Sequence, residues 1–93
     1  MMSESEFERI CKGILTDRET IIKHNPIGTR GEILLWMLLN CLSSYLSLTD
    51  METPCFTGIP DAETYAEAIR FVLRNRKTGH FDEDTYITQL LQA

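Results

Sequence analysis

The sequence predicts an all-α protein: a single compact domain, residues 1–93, of four helices around a nearly all-apolar second helix. Three observations lead there. Ile33 to Leu48 reads ILLWMLLNCLSSYLSL, in which twelve of sixteen residues are apolar and none is charged. Elsewhere apolar residues recur at three- and four-residue spacing, as on a helix with one buried face. Apolar and polar residues nowhere alternate for more than a few positions, as they would along a half-buried strand.

The first helix is expected from about Glu4 to Lys23. Ser3 with Glu6 fits a capping box, and Met2 with Phe7 fits a hydrophobic staple. Phe7, Ile10, Cys11, Ile14, Leu15, Ile21 and Ile22 form its apolar stripe. Arg18 interrupts that stripe, with a stem long enough to lie along the apolar face. Pro26 disfavours helix at Asn25, so His24 to Gly28 is a stop and a turn. The second helix starts after Thr29, which pairs with Glu32 as another capping box, and runs to about Ser47. From Ile33 to Leu39 it is apolar on every side, so it is expected at the centre of the core with Leu35, Trp36, Leu38, Leu39 and Leu42 buried. Thr49 to Pro60 reads as a loop. The third helix begins near Asp61, a good N-cap, with Ala62, Tyr65, Ala66, Ile69, Val72 and Leu73 on its inner face, and ends at Gly79. The fourth begins at Asp82, with Phe81 and Tyr86 as a staple and Tyr86, Ile87, Leu90 and Leu91 on its apolar side. It is short enough to require docking.

Composition narrows the function classes. Fourteen acidic residues against nine basic ones give a net charge of -5. That balance speaks against a nucleic-acid binder, which needs a basic face for phosphates, and against docking on anionic lipid. Cys11, Cys41 and Cys55 are odd in number and lack CxxC spacing, so neither a disulfide framework nor a zinc site is expected. The opening residues, MMSESEFERI, are acidic and polar, unlike a signal peptide. Ile33 to Leu48 is shorter than the ~20 residues of a membrane span. No membrane contact, no metal and no cofactor are expected, and the reducing cytoplasm is the expected setting.

Four groups of residues invite a functional reading. Trp36, Asn40, Ser43, Ser44 and Ser47 make a narrow polar stripe on the apolar second helix. It can line a pocket, form the seam between two copies, or pack within the chain with side chains bonded to carbonyls one turn back. Arg30 sits between Gly28 and Gly31 at a helix start, where backbone N–H groups and a counter-charge suit an anion. The spacing is not that of a P-loop, and an ordinary helix-start loop capped by Thr29 is the preferred explanation of the glycines. Arg70, Arg74, Arg76 and Lys77, with His80, can grip an anion or an acidic partner, or simply complement the dipole of the third helix. His80 with Asp82, Glu83 and Asp84 matches no metal-ligand spacing, and those acids would repel DNA phosphates if the last two helices were read as helix-turn-helix. Nothing local activates a thiol beside His24 or His80.

The expected function is therefore protein–protein contact by a small cytoplasmic helical module, as a homodimer. A small-ligand-binding protein or helical enzyme with its pocket along the Trp36 and Asn40 stripe is the alternative. The dimer is expected because Phe7, Ile14, Ile21, Leu34, Trp36, Met37, Tyr45, Met51, Phe56, Phe71 and Tyr86 all need cover beyond the central leucines, and cover on one side of the second helix looks thin.

Overall fold

A computed structural model describes residues 4–45, 61–76 and 82–93; the side chains of 43–45 and 75–76 are outside the description. Five helices occur among these residues: α1 Glu4–Thr16, α2 Arg18–His24, α3 Arg30–Tyr45, α4 Ala62–Arg76 and α5 Glu83–Leu91. No strand is present among them. The Cα radius of gyration is 12.4 Å, against about 12 Å expected for a compact chain of this length.

The count of five rather than four comes from a break in the first predicted helix. Asp17 leaves helical geometry at φ -94°, ψ 11°, in the sparsely populated bridge region. Had the helix continued straight, Arg18 would have stood in the middle of the apolar stripe. With the bend at Asp17, the Arg18 side chain is half exposed. Few backbone bonds are lost. The Asp17 amide still donates to the Gly13 carbonyl and its own carbonyl accepts from the Ile21 amide, both at 3.0 Å. Beyond the bend, Ile21 and Ile22 remain half-buried against the core.

The turn after α2 is closed by Asn25. Its main-chain amide reaches the Ile22 carbonyl at 3.2 Å, and its side-chain Nδ2 donates to the Ile21 carbonyl at 2.9 Å. Gly28 then adopts φ 104°, a backbone conformation that side chains with a Cβ rarely tolerate. The expected capping box at the start of α3 is present. The Glu32 amide donates to Thr29 Oγ1 at 3.2 Å and the Thr29 amide donates to Glu32 Oε2 at 3.4 Å. Replacing Thr29 by Ala is expected to destabilise the fold by about 1 kcal/mol. Urea unfolding measures this, and an unchanged midpoint would show that the box contributes nothing. The predicted box at Ser3 and both predicted staples involve residues outside the described ones.

At the start of α4 the Asp61 carboxylate accepts from the Thr64 amide and from its hydroxyl, each at 2.8 Å. These bonds, the amide's first, hold Asp61 below the usual carboxylate range. Asp82 precedes α5 without a side-chain bond to the helix backbone; it accepts instead from the Thr85 hydroxyl.

Helix α3 is the one described helix in contact with all four others. Around it lies one apolar cluster. Phe7, Cys11 and Ile14 come from α1, and Leu34, Leu35, Leu38, Leu39 and Leu42 from α3 itself. Tyr65, Ala66, Ile69, Val72 and Leu73 come from α4, and Ile87 and Leu90 from α5. The Phe7 ring meets Tyr86 edge-on at a centroid distance of 6.4 Å, which ties α1 to α5. At Gly31 α3 approaches the end of α5 closely: a Cβ there would stand 3.1 Å from the Leu91 carbonyl oxygen.

Two expectations about burial need correction. Trp36 is 40% exposed, and Asn40, one turn on, is exposed beside it. Four neighbouring helices cover an arc of α3 rather than its whole circumference, so even a uniformly apolar segment presents one line to the outside. Phe71, also expected to need cover, is exposed as well, but several others are better covered than the sequence suggested. Phe7, Ile14 and Leu34 are buried within the single chain, and Ile21, Met37 and Tyr86 are half-buried. Tyr45, Met51 and Phe56 carry no described side chain.

Candidate functional site: the outer line of α3 and the hollow at the α1–α2 bend

Trp36 and Asn40 lie on the outer line of α3 because the periodicity that buries Leu34, Leu35, Leu38 and Leu42 leaves them opposite. Asn40 Nδ2 donates to the Trp36 carbonyl at 3.0 Å, so its amide is tied back by one turn. The side chains of Ser43 and Ser44, and all of Ser47, fall outside the described residues. Phe71 on α4 is also exposed, at 52%.

Of the predicted basic cluster, Arg70 and Arg74 are the members whose side chains are described. Arg70 is less exposed than Arg74 and is committed to two carboxylates. Its Nε donates to Asp84 Oδ1 at 2.9 Å and its Nη1 to Glu67 Oε1 at 3.0 Å. The first of these links α4 to α5, and it is the main cause that holds the Arg70 pKa above its ordinary value. Arg74 is exposed. The Arg76 side chain and Lys77 are outside the description.

Arg30 has the richest surroundings. Its Nε donates to the Ala93 main-chain oxygen at 3.2 Å, and its Nη2 meets Glu19 Oε1. Arg18 approaches the same carboxylate oxygen through Nε at 4.0 Å. Together with Leu15, Gln89, Gln92 and Ala93 they line a surface hollow of about 430 Å³. A second hollow of about 550 Å³ shares Leu15, Arg18 and Glu19 and extends to Lys12 and Thr16. Sequence reading singled out Arg30 but missed Arg18, Gln89 and Gln92. Arg18 did carry a signal, a charge in the middle of an apolar stripe; the glutamines carried none. Gly31, read as part of an anion-holding loop, serves instead to let α5 approach.

In comparisons with protein-family models, curated proteins and solved structures, the chain matches none of them. Chemistry must therefore be read from the side chains alone.

The two described thiols, Cys11 and Cys41, are unsuited to attack. Burial, assisted by the neighbouring Cys41 and Glu8, pushes the Cys11 thiol up to about 12, and burial also raises Cys41. A nucleophilic cysteine needs the opposite shift. Glu8 is held below its usual range, first by its bond to Lys12 and then by one to Tyr86; the Lys12 Nζ stands 2.8 Å away. No group of three or more His, Cys, Asp or Glu side chains capable of holding a metal occurs among the described residues. No described helix is long and apolar enough to cross a membrane.

Cys11 makes the stability pH-dependent at the alkaline end. Its folded pKa lies above the unfolded value near 8.5. Below pH ~8.5 both states are protonated and the contribution is whole. As pH rises towards 12 the unfolded thiol ionises first, and stability falls by at most about 1.4 kcal/mol per pH unit from this group. Unfolding midpoints measured from pH 8 to beyond pH 10 should decline, and less steeply in Cys11→Ala. Equal slopes in the two proteins would remove Cys11 as the cause.

Proposed function

We propose that this protein is a small helical interaction module of a reducing, cytoplasmic setting, and that it works through protein–protein contact as a homodimer formed across the outer line of α3. One observation carries the reading: the only tryptophan of the chain stands 40% exposed on the helix that otherwise forms the centre of the core. Tryptophan is a favoured anchor of protein interfaces, because it buries a large ring while retaining a donor for a partner.

A second copy suits this face in charge. Two chains of net charge -5 repel at long range. Along α3, however, no charged residue occurs between Ile33 and Tyr45, so a twofold contact centred there places no like charges directly against each other. Such an interface would bury roughly 1,200 Å² or more in total. The free Cys11 and Cys41 suit a reducing compartment.

Light scattering from micromolar to submillimolar concentration tests the proposal. The expected result is a mass that rises to twice the monomer, accompanied by a blue shift of the single tryptophan's emission. Trp36→Ser should remain monomeric with its helical circular dichroism intact. A monomer mass throughout the range, with constant emission, would overturn the dimer.

A further inference from the structure

We infer that the hollow between Arg18, Arg30 and the end of α5 is a binding site for a small multivalent oxyanion of the phosphate-monoester class. It is assembled from four helices. Leu15 ends the apolar stripe of α1 and supplies an apolar part of the lining. The bend at Asp17 swings Arg18 out of that stripe and sets it beside the hollow. Arg30 enters from the first turn of α3, where the Ala93 main-chain oxygen steadies its Nε. Gln89 and Gln92 approach from α5 and the residue following it. Two guanidinium groups and two side-chain amides thus line one concavity, a donor-rich set suited to the several oxygens of a phosphate group.

The internal acceptor identifies the chemistry. Glu19 Oε1 meets Arg30 Nη2 and lies 4.0 Å from Arg18 Nε, so one carboxylate oxygen already occupies the point shared by two cationic forks. Glu19 is 75% exposed, and Arg18 and Arg30 are about half exposed. Ion pairs that open to water are weak and exchange readily. Glu19 and the Ala93 oxygen meet the guanidiniums through single contacts, whereas a phosphate dianion would offer each guanidinium a two-point bond. The volume of about 430 Å³ leaves space for the organic part of a small monoester over Leu15. The chain carries fourteen acidic residues against nine basic ones, so two arginines lining one hollow stand out from the overall charge.

A two-dimensional NMR titration of the full chain with inorganic phosphate, ionic strength held constant against sodium chloride, is the test. Saturable shifts are expected at residues 15–19, 30 and 89–92. Arg18→Gln should weaken binding roughly tenfold or more, as loss of one charge-assisted contact implies. Glu19→Gln removes the internal competitor and should tighten binding several-fold. Phosphoserine should bind at least as well as inorganic phosphate, and acetate far less. Shifts no larger than those of chloride, shifts scattered over the surface, or affinity unchanged in Arg18→Gln would each overturn the site. Equal affinity for acetate would overturn the phosphate class. Arg18 meets Glu19 across the surface, so its variant remains decisive even if Arg30→Gln disturbs the docking of α5.

Discussion

Replacing Leu38 by Ala is expected to cost about 2–5 kcal/mol. Leu38 is fully buried on the helix that contacts all four others, so its removal leaves a void bordered from several directions. The neighbours are held by their own helices and cannot all move inward at once, which places the loss above the transfer energy of the side chain alone. A domain of this size has a total stability of roughly 5–10 kcal/mol, so the variant should lose a large part of its cooperative transition. Urea unfolding followed by circular dichroism measures the effect. A loss below about 0.5 kcal/mol, the range of ordinary surface substitutions, would show that α3 is peripheral.

The second large effect is expected at Gly31. A Cβ there would lie 3.1 Å from the Leu91 carbonyl oxygen and 3.2 Å from its Cα. Both are backbone atoms of the last turn of α5, so no side-chain rotation relieves the contact. Gly31→Leu should therefore push α5 away and destabilise the protein by about 1–3 kcal/mol, as overpacked positions do. Because α5 is nine residues long and anchored through Ile87 and Leu90, its hydrogen-exchange protection should collapse before that of α3. Gly13 is the internal comparison. It is exposed and a Cβ there meets nothing within 4 Å, so Gly13→Ala should stabilise by about 0.5–1 kcal/mol. If both variants shift stability alike, the close approach of α3 and α5 is not what constrains Gly31.

These two sites show how differently the chain discloses itself. Leu38 was readable as core from its setting in an uncharged apolar run. Gly31 read as a candidate anion loop, because nothing within several residues reveals that the end of α5 will rest upon it. Arg30 was likewise recognisable as a cation near a helix start. Its partners Glu19 and Ala93, and its neighbours Gln89 and Gln92 in the hollow, lie far away along the sequence.

What the sequence by itself determined is what arises within about one turn of helix. The Thr29–Glu32 box and the Asp61 cap depend on groups three residues apart. The stripes that bury Phe7, Cys11 and Ile14, or Tyr65, Ile69 and Leu73, follow from helical periodicity alone. Tertiary structure decided the rest. The bend at Asp17 weighs a straight helix against the burial of Arg18, and the weight exists only once α1 lies on α3. The exposure of Trp36 depends on how much of α3 the other helices can surround, a matter of their number and packing rather than of the residues beside it. The hollow at Arg30 exists because the α1–α2 bend, the start of α3 and the end of α5 meet there. Local interactions fall away within a few residues along the chain, whereas burial and charge pairing depend on distance through space, and only the folded chain sets that distance.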